Sequence, residues 1–180
     1  MNESAHTASE TEAGLSGRQN VLILGVGNVL LSDEGAGVHL VKALQDRYIL
    51  PDGVEVLDGG TSGLDLLPHI ENRSHLFIVD VINTADAEPG KVKRIALEDP
   101  PAYFRQKVTP HQLGLNEVLA LADLSGTMPD TIVLFGLMPK DLKTGLELSP
   151  EAAAGLEDLL ELLITELETM GHELKPRNRA

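Results

Sequence analysis

A chain of 180 residues, 42% of them hydrophobic, is long enough to bury one ordinary core, and no linker or internal repeat divides it. Its 28 acids against 14 Lys and Arg leave a net charge of −14, which repels a nucleic-acid backbone and an anionic membrane surface, so neither is an expected partner. The lack of cysteine excludes disulfides, thiolate nucleophiles and cysteine-built zinc sites, and leaves imidazole and carboxylates to bind a metal strongly.

In chain order, residues 1–19 are rich in Ser, Thr, Glu, Ala and Gly and lack the apolar run of a secretory signal, and no later segment reaches membrane-spanning length. They predict a disordered extension on a cytoplasmic protein, followed by a single domain over 20–175 and a short polar tail at 176–180. VLILGVG, starting at Val21, predicts a short buried strand, and residues 36–48 a helix with Val38, Val41, Leu44 and Tyr48 at helical spacing. VEVLDGG from Val54 predicts a second strand ending in glycines, and SGLDLLPHIE from Ser62 a helical stretch shortened or distorted by Pro68. HLFIVDVI from His75 is a third strand, whereas KVKRIAL from Lys91 alternates polar and apolar residues and predicts a half-exposed, antiparallel edge strand. Residues 112–123 predict another helix and TIVLFGLM from Thr131 another buried strand. Ser149 followed by Pro150 fits the cap and first turn of a last helix, whose stripe of Leu156, Leu159, Leu160, Leu163, Ile164 and Leu167 marks it as packing.

This alternation predicts an α/β fold, a three-layer α/β/α sandwich around a mostly parallel twisted sheet of about five strands with one antiparallel edge strand. Ligands of such sheets bind beyond the carboxyl ends of the strands. There the first strand delivers Asp33 and Glu34, the second Asp58, Gly59, Gly60 and Thr61, and the third Asp80. His111, in TPHQLGL, opens a helix whose start Pro110 fits.

Several chemistries compete for these residues. Gly25 and Gly27 have the spacing of a dinucleotide-binding turn, but Leu30 stands where the third glycine belongs, and Asp33 and Glu34 would repel a pyrophosphate from the helix start. No Gly-Lys-Ser/Thr follows, which removes a P-loop. Ser62, Asp80 and His111 have the chain order of a hydrolase triad, yet GTSGL lacks the final glycine of a nucleophile elbow, and helix capping explains Ser62 more simply. Glu34, Asp80 and His111 together suit a borderline cation such as zinc or nickel, with positions left open for water or another molecule's ligands. Each also has an ordinary reading: Asp33 or Glu34 complementing a helix dipole, Asp80 capping a turn, His111 a surface histidine. His39, His69, His75 and His172 match no motif and fit solvated or structural roles.

ILGVGNVLLSDEGAGVHLVKAL, VLDGGTSGLDLLPHI, IVDVI and TPHQLGLNEVL, in this order and at these separations, resemble the nickel-iron hydrogenase maturation endopeptidases over nearly the whole chain beyond the leading tail. The resemblance implies that Glu34, Asp80 and His111 contact a metal, and that the protein is an aspartic-type peptidase with Asp80 or Glu34 activating water; the alternative is that the nickel itself polarises the carbonyl or water. The resemblance also implies a role for Asp58, Gly59, Gly60 and Thr61 in shaping the cleft or contacting the substrate backbone, although the same residues fit a flexible turn capping the next helix equally well. The implied substrate is the precursor of a hydrogenase large subunit, clipped at its C-terminus after nickel insertion. The nickel would then arrive with the substrate and not reside in the enzyme, although other divalent cations can occupy the same ligands. A monomer is expected. The competing expectation is a nickel-binding assembly chaperone without protease activity, against which stand six dispersed histidines with no His-rich tract.

Overall fold

β1 (Val21–Val26) is buried along its whole length, as a strand must be when it has neighbours on both edges and helices over both faces. The computed structural model describes residues 20–82, 88–105 and 110–177, with the backbone alone for 105 and 110–113. The expected extension over 1–19 and the last residues of the expected tail lie outside the described residues.

β1 pairs in parallel with β3 (Val54–Gly60) on one edge and with β4 (His75–Val81) on the other. β6 (Thr131–Leu137) extends the parallel set beyond β4, and β5 (Val92–Ala96) runs antiparallel at the far edge. The order is β3-β1-β4-β6-β5, so the sheet has the expected five strands and the expected antiparallel edge. β5 buries none of its residues, which is why its sequence alternates while those of the central strands do not.

The two-residue period of β1 sends Val21 and Ile23 into one core and Leu22 and Leu24 into the other. The first core lies under α1 (Ala36–Arg47) and α5 (Pro150–Thr169), and the second under α2 (Leu67–Ile70), α3 (Pro100–Arg105) and α4 (Pro110–Ser125). α5 begins as its sequence predicts, with the Ser149 hydroxyl accepting the Ala152 N–H at 3.1 Å and Pro150 in the first turn.

Three local differences have physical causes. The helix from Ala36 stops at Arg47 because Tyr48 is extended and starts β2 (Tyr48–Ile49), which pairs antiparallel with β7 (Lys175–Pro176). Arg177 then donates to the carbonyls of Gln45 and Tyr48, each at 2.9 Å, so the body holds the chain through Arg177. Around Pro68 the expected helical stretch shrinks to a 3-10 turn, Leu64–Leu66, followed by the four residues of α2. The residue preceding that turn is Gly63, with no side-chain cap, so Ser62 does not play the capping role expected of it; its N–H closes a turn onto the Gly59 carbonyl at 2.8 Å.

Two glycines of the GVGNVLLSDEGAG stretch explain why this segment looks like a phosphate loop. At Gly37, in the first turn of α1, a Cβ would stand 2.2 Å from the Val79 oxygen and 2.3 Å from the Val26 oxygen. The helix start is therefore pressed onto the backbones of β1 and β4, where a dinucleotide fold would leave room for a ligand. Gly27 has a φ of +132°, and a Cβ there would lie 1.8 Å from the Glu34 oxygen. Glycine at 27 thus lets the strand end and the Glu34 turn meet backbone to backbone. Gly37→Ala is expected to lower stability by about 3 kcal/mol through overpacking against atoms that cannot rotate away, measured as a lower urea midpoint at unchanged slope.

Candidate functional site

Among the described residues, the buried charged side chains are Asp33, Glu34 and Asp80, at 0%, 5% and 1% exposure, and all three stand at the carboxyl end of the sheet. A carboxylate taken out of water is costly unless hydrogen bonds or partners compensate it, so each burial calls for a local cause.

For Asp33 the cause is structural. Its carboxylate accepts the N–H groups of Lys140, Asp141 and Ser149 at 2.8, 2.9 and 2.7 Å, and the Ser149 hydroxyl at 2.8 Å. Burial pushes its pKa up, but the bonds from Asp141, Ser149 and Lys140 outweigh burial and hold the carboxyl below its ordinary value. Asp33 thereby ties the segment after β6 to the start of α5. The dipole of the next helix is not its main partner.

Glu34 shares the 3-10 turn Ser32–Gly35 with Asp33. This turn packs against β4, and its backbone is fixed by the Glu34 N–H donating to the Leu31 carbonyl at 3.1 Å and by the close approach to Gly27. Asp80 is the sixth residue of β4, paired with Gly136 of β6, and its Oδ1 accepts the Val81 N–H at 2.8 Å. Glu34 and Asp80 are therefore presented from adjacent parallel strands, one by a turn folded back over the sheet end and the other by the strand itself.

His111 lies in the first turn of α4, and its side chain is outside the described residues. The helix that carries it passes so near the segment after β3 that a Cβ on Gly114 would stand 3.1 Å from the Gly63 Cα. The GTSG and PHQLG motifs, distant in sequence, thus meet. Among the described residues no three His, Asp or Glu side chains form a group able to hold a metal.

The Asp58–Thr61 segment braces the same edge. Asp58 is in register with Gly25, a bulge separates it from the Val26–Gly60 pair, and the Gly60 carbonyl accepts the Gly27 N–H at 2.9 Å. Asp58 and Thr61 are exposed. The segment thereby supports the loop on which Glu34 rests.

Sequence reasoning missed Tyr103. Burial raises its phenol pKa, and the charge of Asp80 raises it further, which keeps the hydroxyl protonated within the field of that carboxylate. Tyr103 rides on α3, a six-residue helix too short for a periodic pattern; its one signal was Asp99 before two prolines, and Asp99 does cap it, accepting the Ala102 N–H at 2.9 Å. Two of the unused histidines have defined neighbours. His75, at the opposite end of β4 from Asp80, lies 3.1 Å from the Ser74 hydroxyl, and His69 lies 3.9 Å from a Glu55 oxygen.

Comparison with known proteins bears on this site. A family model described as HycI, hydrogenase maturation protease, matches residues 38–166. The chain is 45% identical over 157 residues to the hydrogenase 2 maturation protease of Escherichia coli K12, covering 87% of this chain and 96% of that one. It is 38% identical over 154 residues to the hydrogenase expression/formation protein HoxM of Azotobacter vinelandii, covering 84% of this chain and 74% of that one. Among solved structures, the hydrogenase maturating endopeptidase HybD from E. coli superposes with a TM-score of 0.84 at 43% identity, over 90% of this chain and all of that one. A hydrogenase 2 maturation peptidase from a thaumarchaeote has the same fold at 32% identity and a TM-score of 0.65, over 85% of this chain and 99% of that one. With two buried carboxylates presented from neighbouring strand ends of this shared fold, the chain belongs to the hydrogenase maturation protease family.

Proposed function

We propose that this protein removes a C-terminal extension from the precursor of a nickel-iron hydrogenase large subunit after nickel insertion, with Glu34, Asp80 and His111 contacting the substrate's nickel. The observation that carries this reading is the burial of Glu34 and Asp80 at adjacent strand ends in a chain 45% identical to a hydrogenase 2 maturation protease. Carboxylate oxygens and an imidazole suit a borderline divalent cation, and this chain has no thiolate of its own to offer. A nickel ion already held by the substrate's sulfur ligands supplies the rest of its coordination. The metal then acts as a recognition determinant: an empty precursor lacks the anchor that fixes its scissile bond near the carboxylates, and positioning of this kind is worth several orders of magnitude in rate.

In the hydrolytic step, water adds its oxygen to the scissile carbonyl and gives up a proton to a carboxylate, and the departing amine takes a proton as the C–N bond breaks. Asp80, whose Oδ1 is oriented by the Val81 N–H, is our assignment for the base, with Glu34 as the second carboxylate of an aspartic-type pair. Asp58, Gly59, Gly60 and Thr61 line the approach for the substrate backbone. The enzyme works as a single chain in the cytoplasm, where it meets the precursor; among the described residues no helix is long and apolar enough to cross a membrane.

The test is mass spectrometry of purified large-subunit precursor, nickel-loaded or nickel-free, after incubation with the protein. Loss of one C-terminal peptide from the loaded form alone is the expected result. Transfer of nickel without cleavage of any cognate precursor would replace this reading with that of an assembly chaperone.

A further inference from the structure

Beside Glu34 the surface turns apolar. Leu30, Leu142 and Leu146 are 58%, 45% and 66% exposed, in a chain whose net charge is −14. Single exposed leucines are ordinary, but these three are gathered by the backbone. Leu31 and Gly145 form a parallel bridge, in which the Gly145 N–H donates to the Leu30 carbonyl at 2.9 Å and the Ser32 N–H to the Gly145 carbonyl at 2.8 Å. The Asp33 N–H donates to the Asp141 carbonyl at 3.1 Å, and the buried Asp33 carboxylate fastens the same loop from below. The leucines therefore ride on a platform of fixed backbone, and the turn that fixes it is the turn that carries Glu34. Both lysines of the loop are engaged, Lys140 with Glu151 at 2.5 Å and Lys143 with Asp141 at 3.6 Å. Among the described residues of this loop, each lysine thus has an acid beside it.

We infer that the Leu30–Leu142–Leu146 platform binds an apolar stretch of the substrate polypeptide next to the bond that is cut, on the Glu34 side of the site. This rests on the proteolytic reading above. Glu34 and Asp80 are almost inaccessible, so a protein substrate can reach them only by lying across the rim, and on this side the rim is the platform. Apolar side chains on an already ordered backbone gain from burial without first having to be ordered, which suits a surface that must grip an extended segment. Continuity with the Glu34 turn selects the segment flanking the cleaved bond over a remote face of the substrate or a second copy of this chain.

The experiment follows processing of full-length, nickel-loaded precursor at several concentrations by the full chain and by the triple variant Leu30→Ser, Leu142→Ser, Leu146→Ser. The expected result is a KM raised about tenfold or more with kcat within about twofold of the parent, and recovery in the corresponding triple methionine variant. An unchanged KM, or a fall in kcat alone, overturns the assignment. So does a triple variant that loses a self-association of the parent while processing normally, which would give the surface to a second copy. A parent chain inert toward every nickel-loaded precursor overturns the proteolytic reading and the platform's role with it; an active parent and an equally active variant overturn the platform alone.

Discussion

Glu34→Gln and Asp80→Asn are each expected to slow precursor processing by about 100- to 10,000-fold, the range of a lost general acid or base. Both substitutions keep the size and one acceptor oxygen of the side chain and remove its charge. In Asp80→Asn the retained carbonyl can still accept the Val81 N–H, so strand and fold should survive. The effect is therefore one of lost charge, and because both carboxylates also contact the substrate's nickel in this reading it should appear in kcat as well as in KM, unlike that of the leucine platform. His111→Ala should abolish precursor processing while leaving the fold intact. Normal processing by a Glu34→Gln chain with the parent's circular dichroism and urea midpoint would remove that carboxylate from the mechanism. The same result for Asp80→Asn would remove the proposed base.

The sheet was legible in the sequence because its central strands are nearly continuous apolar runs and its edge strand is not. VLILGV, HLFIVDV and TIVLFGL are covered on both faces, whereas VKRIA lies at an open edge. The carboxyl-end rule then places Glu34 and Asp80 at one edge, because the strands that deliver them are parallel neighbours. What stayed hidden depends on contacts between segments far apart in the chain. Asp33 reads locally as a helix-start charge, and only its bonds to residues 107, 108 and 116 positions away reveal a tether. β2 and β7 are two residues each and carry no period to detect. Tyr103 belongs to a helix that prolines begin and that ends before a second turn can declare itself.

The largest stability effect is expected at Asp33. Its carboxylate satisfies three backbone N–H groups and a hydroxyl, so Asp33→Ala leaves buried donors unpaired as well as opening a cavity, and is expected to cost about 4 kcal/mol near neutral pH. Asp33→Asn is milder. Its carbonyl can take the place of Oδ2, which receives three of the four donors, and its amide then faces the Ser149 N–H in place of Oδ1, so that one bond is lost for about 1–2 kcal/mol. The pH dependence has a definite sign. Because the folded carboxyl is held below its ordinary value of 3.8, its stabilisation is complete above that value and is lost as pH falls through the lower folded one. The difference in urea midpoint between parent and Asp33→Ala should therefore be largest near neutrality and shrink as the pH is taken below 3.8. A difference independent of pH would mean that the side chain acts by packing and not as a charged acceptor. The same tether fixes the loop that bears Leu142 and Leu146, so Asp33→Asn should raise the KM for precursor before it lowers kcat. A chain in which this loop is loosened and KM nevertheless stays constant would separate the tether from substrate binding, leaving Asp33 a purely structural acid beside the proposed catalytic pair.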